Sequence, residues 1–138
     1  MKLRSTSVAL VLTGALILAA TGCHHRSHRH HHHNPAPVVN PGTVFTWDAT
    51  VLGYSNDESY FWKTPFDDAI VEFEAFDFEG AFTIEIYDHL DELVYFETFY
   101  GDGGDYFSSA ITDLGVDGDW LIYLTSDNVD GELHVWIE

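Results

Sequence analysis

The sequence is poor in cysteine and in positive charge. Of its 138 residues only one is cysteine and five are Lys or Arg. A lone thiol, Cys23, excludes an internal disulfide, so a folded domain here must be held by its packed core. The positive charge is also misplaced for a nucleic-acid binder. All 23 acidic residues lie at or after Asp48, and Lys63 is the only Lys or Arg beyond Arg29. From residue 43 onward the net formal charge is therefore −22. A field of that sign repels phosphate backbones and anionic head groups, which excludes a nucleic-acid partner. Long apolar runs are scarce too. The single one, Val8 to Ala20, is short of the roughly 20 residues that a spanning helix needs.

Nucleophile elbows, phosphate loops and His-Glu-x-x-His pairs are missing, and Gly101-Asp102-Gly103-Gly104 fails the dinucleotide pattern because Tyr106 stands where glycine is required. Beyond residue 43 there is no cysteine and only His89 and His134, neither beside a nucleophile. A small domain with tight turns also has little room for a substrate cleft. The expectation is a protein that is not an enzyme. The competing catalytic reading is a small hydrolase using an Asp or Glu pair, since carboxylates abound.

What is present begins with an export signal. Lys2 and Arg4 form the positive start, Val8 to Ala20 the apolar segment, and small residues precede Cys23. Ala20-Thr21-Gly22-Cys23 resembles the lipobox of bacterial lipoproteins. That resemblance implies removal of residues 1–22, a diacylglyceryl thioether on Cys23 and acylation of the new amino terminus. Several acyl chains, at ~0.8 kcal/mol per buried methylene, anchor a protein stably where one would not. His24 follows Cys23 in place of the Asp that retains such lipoproteins at the inner membrane. The implied location is the outer membrane, at its periplasmic leaflet or at the surface.

Residues 23–42 then read as a tether. His24, His25, His28, His30, His31, His32 and His33 crowd into ten positions, and Pro35, Pro37 and Pro41 keep residues 34–42 extended. Clustered neutral imidazoles bind Zn²⁺, Ni²⁺ or Cu²⁺, so a metal-buffering lipoprotein is an alternative function. The plainer reading is a polar spacer whose charge rises below pH ~6.5.

Residues 43–138 show a period of two. Phe45, Trp47, Ala49 and Val51 alternate with polar neighbours, as do Val71, Phe73 and Ala75, then Phe82, Ile84 and Ile86. Trp120, Ile122 and Leu124 follow suit, and so do Leu133, Val135 and Ile137. Turn chemistry stands at Gly53, Thr64-Pro65, Glu79-Gly80, Asp88 to Glu92, Gly101 to Gly104, Asp117-Gly118 and Asp130-Gly131. No helical face exceeds two turns. The pattern predicts an all-β domain, a single antiparallel β-sandwich of about seven or eight short strands.

Gly118-Asp119-Trp120-Leu121-Ile122-Tyr123-Leu124, an Asp-rich turn and Gly131-Glu132-Leu133-His134-Val135-Trp136-Ile137 resemble the closing strand pair of jelly-roll modules. The P-domain of subtilisin-like convertases and the bacterial pre-peptidase C-terminal domain share this outline. The resemblance covers only the last twenty or so residues. It implies a jelly-roll-like sandwich serving as an accessory module, in a neighbourhood that includes calcium binders.

Two surfaces are candidates for function within the domain. Asp113, Asp117 and Asp119 at one turn, with Asp127, Asp130 and Glu132 at the next, offer the hard oxygens that Ca²⁺ requires, although Asp and Gly also simply make good turns. Tyr87, Tyr95, Tyr123 and Trp136 fall on outward positions of their strands and form a candidate contact patch for an envelope protein or a glycan.

Overall fold

The computed structural model describes residues 38–39 and 43–138. Cys23 and the histidine tract therefore lie outside the described residues. Those that are described contain no helix. Five strands form one antiparallel sheet: β1 (Val38–Val39), β2 (Phe45–Thr64), β3 (Ile70–Tyr87), β4 (Leu93–Ile111) and β5 (Gly118–Ile137). Their order in the sheet is β1-β2-β5-β3-β4. The all-β, antiparallel expectation is met.

The strands are long, 18 to 20 residues in β2 to β5, yet none is straight. Phe73 and Phe82 both belong to β3 and would stand roughly 30 Å apart on an extended strand. Their rings instead stack with centroids 5.2 Å apart. In β2, Phe45 meets Tyr60 at 5.7 Å, and in β4, Phe99 meets Tyr106 at 5.6 Å. The sheet is doubled over, and its inner face packs against itself.

The corners coincide with bulges and special backbone conformations. Register shifts fall between Val51 and Asn56 on β2 and between Ala75 and Ala81 on β3. Gly53, Asp77, Gly80, Gly103, Asn128 and Gly131 take positive φ there, which bulges and tight bends favour. A Cβ on Gly80 would lie 2.4 Å from the Asn128 carbonyl oxygen, and one on Gly101 would lie 2.3 Å from that of Phe78. Backbone approaches this close leave room for glycine alone.

Each bulge also resets the alternation. On β3 the buried residues are Val71, Phe73 and Ala75 before the corner, then Phe78, Phe82, Ile84 and Ile86 after it. On β5 they are Trp120, Ile122, Leu124 and Ser126, then Val129, Leu133, Val135 and Ile137. The extra residues keep the apolar set on the concave side as the chain turns the corner.

Between the two halves lies a core rich in aromatics. Phe73 stacks on Phe99 at 4.4 Å, and Trp47 stacks on Phe82 at 5.3 Å. Trp62 and Trp120 meet at 90°. The Trp62 indole N–H is buried without a hydrogen-bond acceptor, and the edge-on Trp120 ring is its aromatic neighbour. Offset and edge-on pairs of this kind add about 0.5–1.5 kcal/mol each beyond burial.

Candidate functional site

Among the described residues, the only basic side chain within ion-pair distance of carboxylates is His134, which is charged only when protonated. Side-chain chemistry is therefore dominated by acids that must find neutral donors. Asp88 and Glu58 do so most completely, each accepting from several donors within the fold.

Asp88, buried at the end of β3, ties three chain segments together. Its Oδ1 accepts the backbone N–H groups of Leu90 (2.8 Å) and Glu92 (2.9 Å), and its Oδ2 that of Val116 (2.8 Å). Burial pushes its pKa up, but these donors outweigh that and hold it below the usual carboxylate value. Gly115 is required beside it, since a Cβ there would lie 2.8 Å from Asp88 Cβ.

Glu58 faces inward on β2, at the open edge between the two halves. It accepts from Trp47 Nε1 (3.0 Å), Asn56 Nδ2 (2.9 Å), Tyr54 Oη (2.5 Å) and the Tyr60 hydroxyl. Its burial acts to raise the pKa, and the four donors reverse that to a net lowering. The two phenols are pushed upward, first by burial and then by bonding to the carboxylate. An inward charge at a strand edge also discourages pairing with a further strand.

On the outer face of the half-sheet containing the β2 start, His134 Nδ1 lies 2.6 Å from Asp48 and Nε2 lies 3.2 Å from Glu132. Trp136 stacks on the imidazole at 5.5 Å. Both ring nitrogens are thus occupied by acids. No nucleophile takes part.

The opposite outer face carries a recess of about 580 Å³. Asp57, Glu85, Tyr87, Asp91 and Tyr123 line it, over Leu121 and Thr125. Alternation places Tyr87, Glu85, Leu121, Tyr123 and Thr125 on one side of adjacent strands, with Glu85 opposite Tyr123 and Tyr87 opposite Leu121 in the register. The Tyr87 and Tyr123 rings meet edge-on, 5.8 Å apart at 87°. The Tyr87 hydroxyl donates to Glu85 Oε2 at 3.0 Å, and that bond, followed by burial, raises its pKa. Among the described residues, no ion pair compensates the charge of Asp57 or Asp91.

The tyrosine patch read from alternation is thus divided. Tyr87 and Tyr123 come together in the recess. Trp136 lies on the other outer face with His134. Tyr95 is buried, 9% exposed, with its hydroxyl donating to Glu97 at 2.6 Å. It sits next to buried Val94, so alternation is broken at the start of β4, and a period-two pattern carries no signal of that break.

The six acids proposed for calcium are separated by the length of half a strand. Asp113 and Asp117 lie in the β4–β5 connection and Asp119 at the start of β5, whereas Asp127, Asp130 and Glu132 lie at its corner. Asp130 Oδ1 accepts the Gly53 N–H, and Glu132 is turned to His134. Among the described residues no three His, Cys, Asp or Glu side chains converge in a way that could hold a metal ion. The recess, with Asp57 and Asp91, was not legible in the sequence, because its walls come from three strands and a turn.

No protein-family model matches the chain, and no curated protein matches it in sequence.

Proposed function

We propose that this protein is an outer-membrane lipoprotein that displays an acidic β domain as a non-catalytic binding or structural module of the cell envelope. The observation that carries the reading is Ala20-Thr21-Gly22-Cys23 at the end of an apolar segment with a basic start. Residues 23–42 serve as its tether, and the doubled sheet is a two-layer, jelly-roll-like sandwich whose half-strands act as the seven or eight short strands of that architecture. The rings packed between its halves support this. Binding rather than catalysis is favoured by the acid and aromatic recess and by a His134 whose two nitrogens already face carboxylates.

Mass spectrometry of the protein isolated from its native envelope tests the anchor. The expected mass is that of residues 23–138 carrying a diacylglyceryl group and an N-acyl chain. Cys23→Ala should leave the membrane fraction. An unmodified thiol on an intact leader overturns the proposal.

A further inference from the structure

The recess on the outer face lacks an internal counterion. Lys63 is the only Lys or Arg among residues 43–138, and it does not line the recess. Three carboxylates, Asp57, Glu85 and Asp91, nevertheless open onto it. The neutral Tyr87 hydroxyl donates to Glu85 there. The compensating charge must come from outside the fold.

The geometry selects among cations. These acids are not gathered closely enough for one metal ion, so they suit a charge spread over several donors. Tyr87 and Tyr123 present rings, and electron-rich faces attract guanidinium and ammonium groups within about 6 Å. Leu121 provides an apolar floor against which an aliphatic stem can lie. The surroundings extend the match. Phe61 stands in the same cross-strand row as Leu121 and is 70% exposed, and Phe96, opposite Glu85, is 59% exposed. Such a rim suits a chain with apolar residues beside its charges better than a small ion.

We propose that this recess binds a basic peptide segment of a partner protein, laying an arginine side chain against the exposed faces of the Tyr87–Tyr123 pair with its guanidinium directed to Glu85, Asp57 and Asp91. The inference rests on the reading of the domain as a binding module and names its ligand class. Charge complementarity carries it: a domain of net charge −22 with an uncompensated aromatic recess attracts cations from a distance and fixes one at this place.

The test uses the full chain in detergent micelles and a synthetic nonapeptide alternating arginine and leucine, titrated by fluorescence anisotropy. Its counterpart with citrulline in place of arginine keeps shape and removes charge. Expected is tighter binding of the arginine peptide by about tenfold, with Tyr123→Ala and Glu85→Gln each weakening it about fivefold. The paired change Asp102→Asn and Asp105→Asn, at the β4 corner, removes more charge and should leave affinity within about twofold. Unfolding midpoints confirm that each variant is folded. Equal weakening by the corner pair would show a diffuse field and overturn the site. Equal binding of the citrulline peptide would overturn the cationic ligand. Binding that emerges only after deletion of residues 24–33 would make the chain's own basic tract the occupant and overturn the partner assignment. Membrane fractionation of the same variants reports on the anchor separately.

Discussion

Phe73 stacks on Phe99 with centroids 4.4 Å apart and planes at 21°, although the two rings come from opposite halves of the doubled sheet. Phe73 also touches Phe78, Phe82 and Tyr106, so it is a central ring in the contact between the halves. Phe73→Ala would lose that burial and leave a cavity that a rigid sheet cannot collapse. The expected cost is about 3–5 kcal/mol, measured by chemical denaturation of the full chain. A loss under about 1 kcal/mol would mean that the halves are not packed as described.

Gly80 and Gly53 sit at two corners under different constraints. Both have positive φ, +94° and +59°, but only Gly80 faces backbone, whereas a Cβ on Gly53 meets nothing within 4 Å. Gly53→Ala should cost about 1 kcal/mol, from the left-handed backbone alone. Gly80→Ala should cost clearly more, about 2 kcal/mol or above, because the Asn128 carbonyl must move as well. Thermal melts of the two variants read the difference directly.

Asp88 makes the acid limb of stability. Its folded pKa is lowered, as is that of Glu58. Their contributions are therefore present above the ordinary carboxylate pKa and are lost as pH falls through the lower folded values. Stability should decline as pH drops below about 4. Asp88→Asn keeps the size but puts an amide NH₂ where one oxygen accepts a backbone N–H. It should cost about 2 kcal/mol at neutral pH and flatten the acid decline, as followed by urea midpoints against pH.

The alkaline limb belongs to buried or carboxylate-bonded tyrosines, two of which donate to Glu58. Tyr54, Tyr60, Tyr87 and Tyr95 all have raised pKa values. Stability from these groups is complete below the ordinary tyrosine value near 10 and disappears as pH rises through the folded values. In an ultraviolet titration, a large share of tyrosinate absorbance should appear only above pH ~10, together with unfolding. Glu58→Gln should bring the Tyr54 and Tyr60 part back toward the ordinary value. An unchanged titration curve would contradict the hydrogen bonds assigned to Glu58.

The inward faces were legible in the sequence because burial on one side of a strand demands alternation. Every residue of the alternating sets beginning at Phe45, Val71, Phe82, Trp120 and Leu133 is buried. Strand continuity was not legible. Thr64-Pro65, Asp88 to Glu92 and Asp117-Gly118 lie in or border connections between strands. Gly53, Glu79-Gly80, Gly101 to Gly104 and Asp130-Gly131 instead turn corners within one strand. Glycine and aspartate supply positive φ and local hydrogen bonds in both settings, so composition does not separate a hairpin from a bend. The recess was hidden for a related reason. Asp57 and Asp91 are 34 positions apart, and cross-strand register brings them to one opening.

Four strands that each run through both halves of the doubled sheet leave neither half with boundaries of its own. Fraying that starts at either end of a strand must travel around the same corner to finish, so the two halves are expected to melt together. The domain should behave as a single cooperative switch between folded and unfolded, with no half-opened species to expose its aromatic interior.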